Sequence, residues 1–201
     1  MSKCLIVIDP GHGRYNNPHT TKEGFYEGTQ NYILSCFLKK ALEKRGFQVL
    51  TTRPELDDDP SLEDRGYMAG NNGAELFLSL HSNAPGTATP PERYPLVRGV
   101  CAYYTLTQPE LNVPLAEALV NKIAEVMHTE NRGIKTRAYP DNPGVDFYSV
   151  IRNSVASGCK RSILVEHGFH TNPEDSAFLQ SSECLEKLAE AEAEVIDSIL
   201  G

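Results

Sequence analysis

The sequence predicts a single α/β domain in three layers, with a mostly parallel central sheet flanked by helices. Short apolar runs alternate with amphipathic stretches along the chain, as expected for a sheet that is covered by helices on both faces. The chain has 201 residues, of which 40% are hydrophobic and 23% charged, and this suits one domain with a full core. We therefore expect residues 1–201 to form one domain, with any ligand site at the carboxyl ends of the strands.

The predicted strands are largely apolar runs of five to seven residues that end at polar or turn residues. The run 99–105 also alternates in character, as a half-buried strand does. In chain order, the predicted strands are Lys3–Ile8, Phe47–Thr51, Glu75–Leu80, Gly99–Thr105 and Ser162–Glu166.

The predicted helices are amphipathic stretches that lie between or after the strands. Thr29–Arg45 has apolar residues on one helical face and stops before a glycine, which commonly follows a helix end. Ser61 begins a short helix, because an acidic residue three positions later completes a capping pattern. Pro114 suits a first helical turn and opens a helix that reaches Met127, and Glu183–Leu200 forms the last helix.

The charge balance and the cysteines exclude several functional classes. A formal net charge of −8 argues against a nucleic-acid partner, since phosphate binding needs clustered Lys and Arg. The five cysteines are scattered without a C-x-x-C pair, so neither a disulfide framework nor a cysteine zinc site is expected. We expect no signal peptide and no membrane span, because the apolar runs are too short for either. This predicts synthesis in the cytoplasm.

Three side chains of the kind that bind metals stand where predicted strands end. His12 follows the first strand, His81 follows the third, and Glu166 ends a late one. Each has an ordinary interpretation by itself: a histidine in a glycine-rich turn, a core histidine, and a half-buried carboxylate with a partner or a raised pKa. A phosphate-binding loop is weaker, because no Gly-x-x-x-x-Gly-Lys-Ser/Thr motif occurs. Convergence of the three on one sheet edge favours a metal site.

A further ligand is expected near the start of the first helix. Glu23 and Glu27 are the candidates there. Acidic residues are also favoured at helix N-termini for electrostatic reasons. The residues alone therefore leave both glutamates open.

Three segments carry a resemblance to a known family, and they occur in the same order as in that family: Asp9-Pro10-Gly11-His12-Gly13, Ser79-Leu80-His81-Ser82-Asn83-Ala84 and Leu164-Val165-Glu166-His167-Gly168-Phe169. With them the chain resembles the zinc-dependent N-acetylmuramoyl-L-alanine amidases over nearly its whole length. The resemblance implies that His12, Glu27 and His81 bind one Zn²⁺ per chain and that Glu166 is the catalytic carboxylate. Glu27 is preferred to Glu23 because the family pattern has an asparagine four residues after the ligand, here Asn31. His170 departs from the family, which more often has an aliphatic or polar residue at that position.

The resemblance implies that the protein hydrolyses the amide bond between N-acetylmuramic acid and L-alanine in peptidoglycan. It would act on the cell wall as a monomer, either as a phage-type endolysin released by lysis or as part of a larger or processed autolysin. No separate cell-wall-binding domain is visible in the sequence. A zinc carboxypeptidase or other amidohydrolase acting on cell-wall peptides stays an alternative. A non-catalytic peptidoglycan-binding module is a second one.

Two predicted loops, Ala84–Leu96 and Lys135–Val145, are expected to border the substrate. Asn83, Arg137 and Arg152 are candidate substrate-binding residues. The arginines would meet carboxylates of the stem peptide, although a solvated surface role is the alternative, since most exposed charges contribute little.

Overall fold

The computed structural model describes residues 3–18 and 24–201, in which a central sheet is covered by helices. Its strands are β1 (Leu5–Pro10), β2 (Gln48–Thr51), β3 (Leu76–Asn83), β4 (Val100–Tyr104), β5 (Asn131–Lys135), β6 (Ala138–Tyr139), β7 (Asn142–Asp146) and β8 (Arg161–Phe169). Its helices are α1 (Glu27–Lys44), α2 (Leu62–Asn71), α3 (Pro109–Met127), α4 (Ser149–Ala156), α5 (Pro173–Gln180) and α6 (Ser182–Leu200), with a 3₁₀ turn at Pro91–Leu96.

The central sheet has six strands in the order β2-β1-β3-β8-β4-β5, and β6 pairs with β7 in a separate hairpin. Strand β1 is parallel to both of its neighbours, and β3 is parallel to β8. Strand β4 runs antiparallel to β8 and parallel to β5. The mostly parallel sheet is therefore confirmed, and the carboxyl ends of β1, β3 and β8 lie at one edge.

Apolar side chains from the two faces of the sheet enter two separate cores, which give the three predicted layers. The larger core joins Ile8 and Val165 of the sheet to Leu38 of α1, Leu119 of α3 and Leu188 of α6. The smaller core lies under α2 and α4 and contains Val7, Phe77, Leu164, Ala69 and Val150. Burial on both faces explains why the strands have nearly continuous apolar sequences.

Several predicted boundaries were wrong in ways that affect the site. Strands β3 and β8 pair beyond their predicted ends, so His81 and Glu166 lie within them and face each other in register. Helix α1 begins at Glu27, two residues earlier than predicted. Helix α3 begins at Pro109, because this proline takes the first-turn position that we assigned to Pro114.

Some elements were not predicted because they lack an apolar signal or are short. Strand β5 is a polar edge strand, and α4 and α5 have only 8 residues each. The predicted loop Lys135–Val145 contains β6 and most of β7. The other predicted loop, Ala84–Leu96, contains the 3₁₀ turn.

A candidate metal centre at the carboxyl ends of the strands

The structure brings His12, Glu27 and His81 together at the predicted edge of the sheet, with one ligand-type atom from each within 4.8 Å of the others. Oε1 of Glu27 lies 3.4 Å from Nε2 of His12 and 3.1 Å from Nδ1 of His81. Two ligand atoms bound tetrahedrally to one zinc ion are about 3.3 Å apart. Two imidazoles and one carboxylate are also a ligand set of catalytic zinc sites. The three residues therefore fit such an ion. Glu23, the other candidate, lies outside the described residues.

The turn after β1 presents the His12 ring through an unusual backbone conformation. His12 has a φ of 64°, in the left-handed region that few residues with a side chain adopt. Gly11, just before it, donates its N–H to the carbonyl of Leu80 and packs against the His81 ring. A Cβ at Gly11 would lie 2.3 Å from that ring. Glycine at position 11 is thus required for the two imidazoles to approach, and their centroids are 4.8 Å apart.

Glu27 is the buried member of the group, with 1% of its surface exposed. Its Oε1 accepts a hydrogen bond of 2.9 Å from the Ser82 N–H, and its Oε2 accepts one of 2.9 Å from Nδ2 of Asn17. Although burial raises the pKa of Glu27, hydrogen bonds with His12 and His81 outweigh it and hold this pKa well below its ordinary value. Glu27 is therefore ionised at neutral pH.

The buried guanidinium of Arg65 holds the backbone of the His12 turn. Arg65, which is 2% exposed, donates to the carbonyls of Pro10 and His12 and to Oδ1 of Asp9. Asp9 also accepts from the hydroxyls of Thr52 and Ser79. Neither Arg65 nor Asp9 was predicted from the sequence as a site residue. For Asp9 the available signal is its place in the segment Asp9-Pro10-Gly11-His12-Gly13, whereas Arg65 lies in none of the three segments that carry the family resemblance.

The start of α1 is fixed against the same turn. Arg53 is fully buried and donates to the carbonyls of Gly28 and Pro10 at 2.9 and 3.4 Å. A Cβ at Gly28 would lie 1.8 Å from the carbonyl oxygen of Gly13. The glycine after Glu27 thus allows α1 to begin directly against the His12 turn.

Glu166 lies beside the three residues without joining their hydrogen bonds. Its neighbours in the sheet are His81 on β3 and Cys101 on β4. Burial raises the pKa of Glu166 to about 7, against a smaller opposite effect of His81. Its Oε2 has no hydrogen-bond partner among the described residues. Such a carboxylate can accept a proton near neutral pH.

A cavity of about 580 Å³ opens over the site. His12, His81 and Glu166 line it together with the amino ends of two helices. Ser61 and Leu62 belong to the start of α2, and Tyr148, Ser149 and Val150 belong to the start of α4. The volume is within the range of small-molecule sites in proteins.

The three candidate substrate-binding residues occupy different settings, and their contact with substrate stays a prediction. Asn83 ends β3, and its carbonyl accepts from the His170 N–H. The Arg137 guanidinium lies 3.7 Å from the centre of the Phe147 ring. Arg152 donates to the backbone carbonyl of Phe147 and to that of the residue before it, so it joins α4 to the β6–β7 hairpin.

The comparisons with known proteins agree on one family. The family model described as Amidase_3, N-acetylmuramoyl-L-alanine amidase, matches residues 6–198. The N-acetylmuramoyl-L-alanine amidase LytC of Bacillus subtilis is 30% identical over 187 residues, which are 92% of this chain and 33% of LytC. The sporulation-specific N-acetylmuramoyl-L-alanine amidase of the same organism is 29% identical over 191 residues, which are 94% of this chain and 65% of that protein. The chain thus spans a third to two thirds of these two relatives.

A solved structure of similar sequence identity has the same fold. The N-acetylmuramoyl-L-alanine amidase AmiC2 of Nostoc punctiforme has a TM-score of 0.77 and 30% identity, and the match covers 97% of this chain and 96% of that one. The fold described above is therefore shared with this solved amidase structure over nearly the whole chain.

Proposed function

Because the chain belongs to the N-acetylmuramoyl-L-alanine amidase family Amidase_3, we propose that it hydrolyses the amide bond between N-acetylmuramic acid and L-alanine in peptidoglycan, with one zinc ion per chain. The observation that carries this proposal is the group of two imidazoles and a carboxylate at the carboxyl edge of the sheet, with a second, separate carboxylate beside it. The proposal places the protein's action at the cell wall after synthesis in the cytoplasm.

His12, Glu27 and His81 would hold the zinc ion. When bound, zinc polarises the scissile carbonyl as a Lewis acid and lowers the pKa of water. The hydrogen bonds of Glu27 support this assignment, because two of its neighbours are imidazoles that can give up their protons when a cation is bound. Asn17 and the Ser82 N–H would continue to orient the carboxylate.

Glu166 is the proposed general base and acid. It takes a proton from the attacking water onto its carboxylate and delivers that proton to the departing nitrogen of L-alanine. The products are a lactyl carboxylate on the sugar and a free amino group on the peptide. A pKa of about 7, raised by burial, suits a group that must first accept and then release a proton.

The substrate would enter the cavity between the amino ends of α2 and α4. The chain's candidates for contacts at its border are Asn83, Arg137 and Arg152, the arginines through carboxylates of the stem peptide. All four residues of the proposed centre come from one chain, so a monomer holds a complete site. Among the helices described in residues 3–18 and 24–201, none has the length and apolar character to cross a bilayer.

The test compares Glu166→Gln with Glu27→Gln on purified peptidoglycan. We expect Glu166→Gln to keep near-stoichiometric zinc while hydrolysis collapses, and Glu27→Gln to lose both zinc and hydrolysis. Glu117→Gln, at an exposed position of α3, serves as the control and keeps both. Retained hydrolysis in Glu166→Gln would refute its catalytic role.

Product analysis separates the amidase from the alternatives. Mass spectrometry of the digest should show new amino-terminal L-alanine and no cleavage inside the stem peptide. Cleavage within the peptide would support a carboxypeptidase or another amidohydrolase. Binding to peptidoglycan without any hydrolysis in zinc-replete buffer would support a binding module.

A further inference from the structure

A buried acid–imidazole pair lies behind the proposed metal centre. His167 in β8 and Glu192 in α6 are 1% and 0% exposed, and Nε2 of His167 lies 2.8 Å from Oε1 of Glu192. The other oxygen of Glu192 has no hydrogen-bond partner among the described residues. Neither residue lines the cavity or has a part in the proposed mechanism. Burial of such a pair is costly, so its presence requires an explanation.

The surroundings of His167 determine which of its atoms donates. Its Nδ1 lies 3.1 Å from the carbonyl oxygen of His81, and its Nε2 faces the carboxyl group of Glu192. A neutral imidazole has only one N–H, whereas a carbonyl and an ionised carboxylate are both acceptors. The pair must therefore hold one more proton, either on the ring or on the carboxyl group. In both cases Nδ1–H donates to the His81 carbonyl.

The carbonyl that His167 holds belongs to a peptide group that also contacts Glu27. The N–H of the same peptide group, that of Ser82, donates to Oε1 of Glu27 at 2.9 Å. The His81 ring, on the residue that supplies the carbonyl, lies 3.1 Å from the same oxygen. Rotation of this one peptide group would therefore disturb two of the three proposed zinc ligands.

We propose that His167 and Glu192 are positioning residues that fix the peptide group between His81 and Ser82, and thereby hold Glu27 and His81 in the arrangement that binds zinc. This inference rests on the proposed function, since it concerns the affinity of that same site for zinc. The path runs from α6 through His167 and the peptide group to Glu27. Hydrogen bonds that orient metal ligands change metal affinity or activity by about 10- to 100-fold.

The decisive variant replaces both members of the pair by apolar residues, as His167→Leu/Glu192→Met. Apolar replacement of a buried ion pair is often neutral or stabilising, whereas removal of one partner leaves an uncompensated charge. We expect the metal-free double variant to melt at or above the temperature of the unmodified protein. We also expect its Kd for zinc, measured by chelator competition, to rise about 10-fold or more. In the zinc-loaded enzyme kcat should fall while KM stays nearly constant.

Two further variants distinguish positioning from repacking. Glu192→Gln can donate from its amide to Nε2 while Nδ1–H still donates to His81, so it should bind zinc nearly as tightly as the unmodified protein. Leu188→Met, one turn earlier on the buried face of α6, controls for a changed core and should do the same. The double variant is expected to be the one with weakened zinc binding.

Unchanged zinc affinity and kcat in the folded double variant would overturn the inference and leave the proposed function intact. Weakened binding in Glu192→Gln to the level of the double variant would overturn it as well, because the hydrogen bond to the peptide would then be irrelevant. Should this double variant not fold, His167→Leu/Glu192→Gln is compared with Glu192→Gln. The two differ only in the His167 ring, so equal zinc affinities would overturn the inference. If the unmodified protein binds no zinc, the proposed function fails and this inference fails with it.

Discussion

Replacing Glu166 by glutamine is expected to change the stability of the metal-free protein in a way that depends on pH. Burial raises the pKa of Glu166 from 4.5 to about 7. Above pH 7 the ionised side chain therefore costs the folded state about 3 kcal/mol relative to the unfolded chain, since each pKa unit is worth about 1.4 kcal/mol. Because Glu166 lines the open cavity and is only half-buried, the figure is an upper one.

The sign follows from which state binds the proton. Between the unfolded and folded pKa values the folded state holds more protons, so stability falls as pH rises through this window. At pH 5 the cost is about 1 kcal/mol, and at pH 8 it approaches about 3 kcal/mol. Glutamine is neutral at both values. The advantage of Glu166→Gln should therefore grow by about 2 kcal/mol from pH 5 to pH 8.

Urea unfolding in the presence of EDTA measures this difference at the two pH values. Any constant effect of the amide group cancels when the two values are subtracted. Glu117→Gln, on the exposed side of α3, is the control and should show nearly the same difference from the unmodified protein at both values. An equal advantage of Glu166→Gln at pH 5 and pH 8 would refute the view that Glu166 is a carboxylate held against the cost of burial.

Three further changes test the rest of the site. A concentration of zinc 100 times its Kd should stabilise the unmodified protein by about 3 kcal/mol, because only the folded state binds it. An equal rise in melting temperature for His12→Ala in calorimetry would contradict the ligand assignment. Gly28→Ala should weaken zinc binding and lower the melting temperature, because the added methyl group would lie 1.8 Å from the Gly13 carbonyl oxygen. Gly86→Ala is the control and should change neither, because the space around its Cβ is open. Arg65→Lys should lower the free energy of unfolding by about 3 kcal/mol in urea titrations, because lysine cannot reproduce the planar set of donors; a loss near zero would show that the guanidinium contacts are dispensable.

The sequence allowed the layered fold and the convergence of His12, His81 and Glu166 to be predicted, because both follow from local patterns. Strand length and apolar character predict the sheet, and parallel strands bring their carboxyl ends together. Local patterns could not choose between Glu23 and Glu27, since both precede the predicted helix Thr29–Arg45. The choice of Glu27 depended on the spacing between ligand and asparagine in a known family, and the role of Glu27 as a ligand stays a proposal.

The supporting contacts could not be predicted, because they join residues that are distant in the chain and have no common local signal. Arg65 meets Asp9 across 56 positions, and His167 meets Glu192 across 25. The local sequence around Arg65 in α2 does not distinguish a buried arginine from an exposed one. Its burial follows only from the packing of the His12 turn against α2. The short helix α4 was missed for the related reason that tertiary packing, more than propensity, stabilises helices of this length.

The three carboxylates around the site have roles that follow from the donors they meet. Asp9 accepts from a guanidinium and two hydroxyls, none of which would be given up to a cation. Glu27 meets two imidazoles that can lose their protons, so a cation can take their place. Glu166 has an oxygen without a donor, and burial raises its pKa to about 7, so it is the one suited to accept a proton. Different environments thus favour support for Asp9, the proposed ligand role for Glu27 and the proposed base role for Glu166, as expected when a site must run acid–base chemistry near neutral pH. Asp9 and His12 lie in the same motif, so the motif alone would make Asp9 as good a candidate for a ligand as His12. The hydrogen bonds that Asp9 accepts argue against that role.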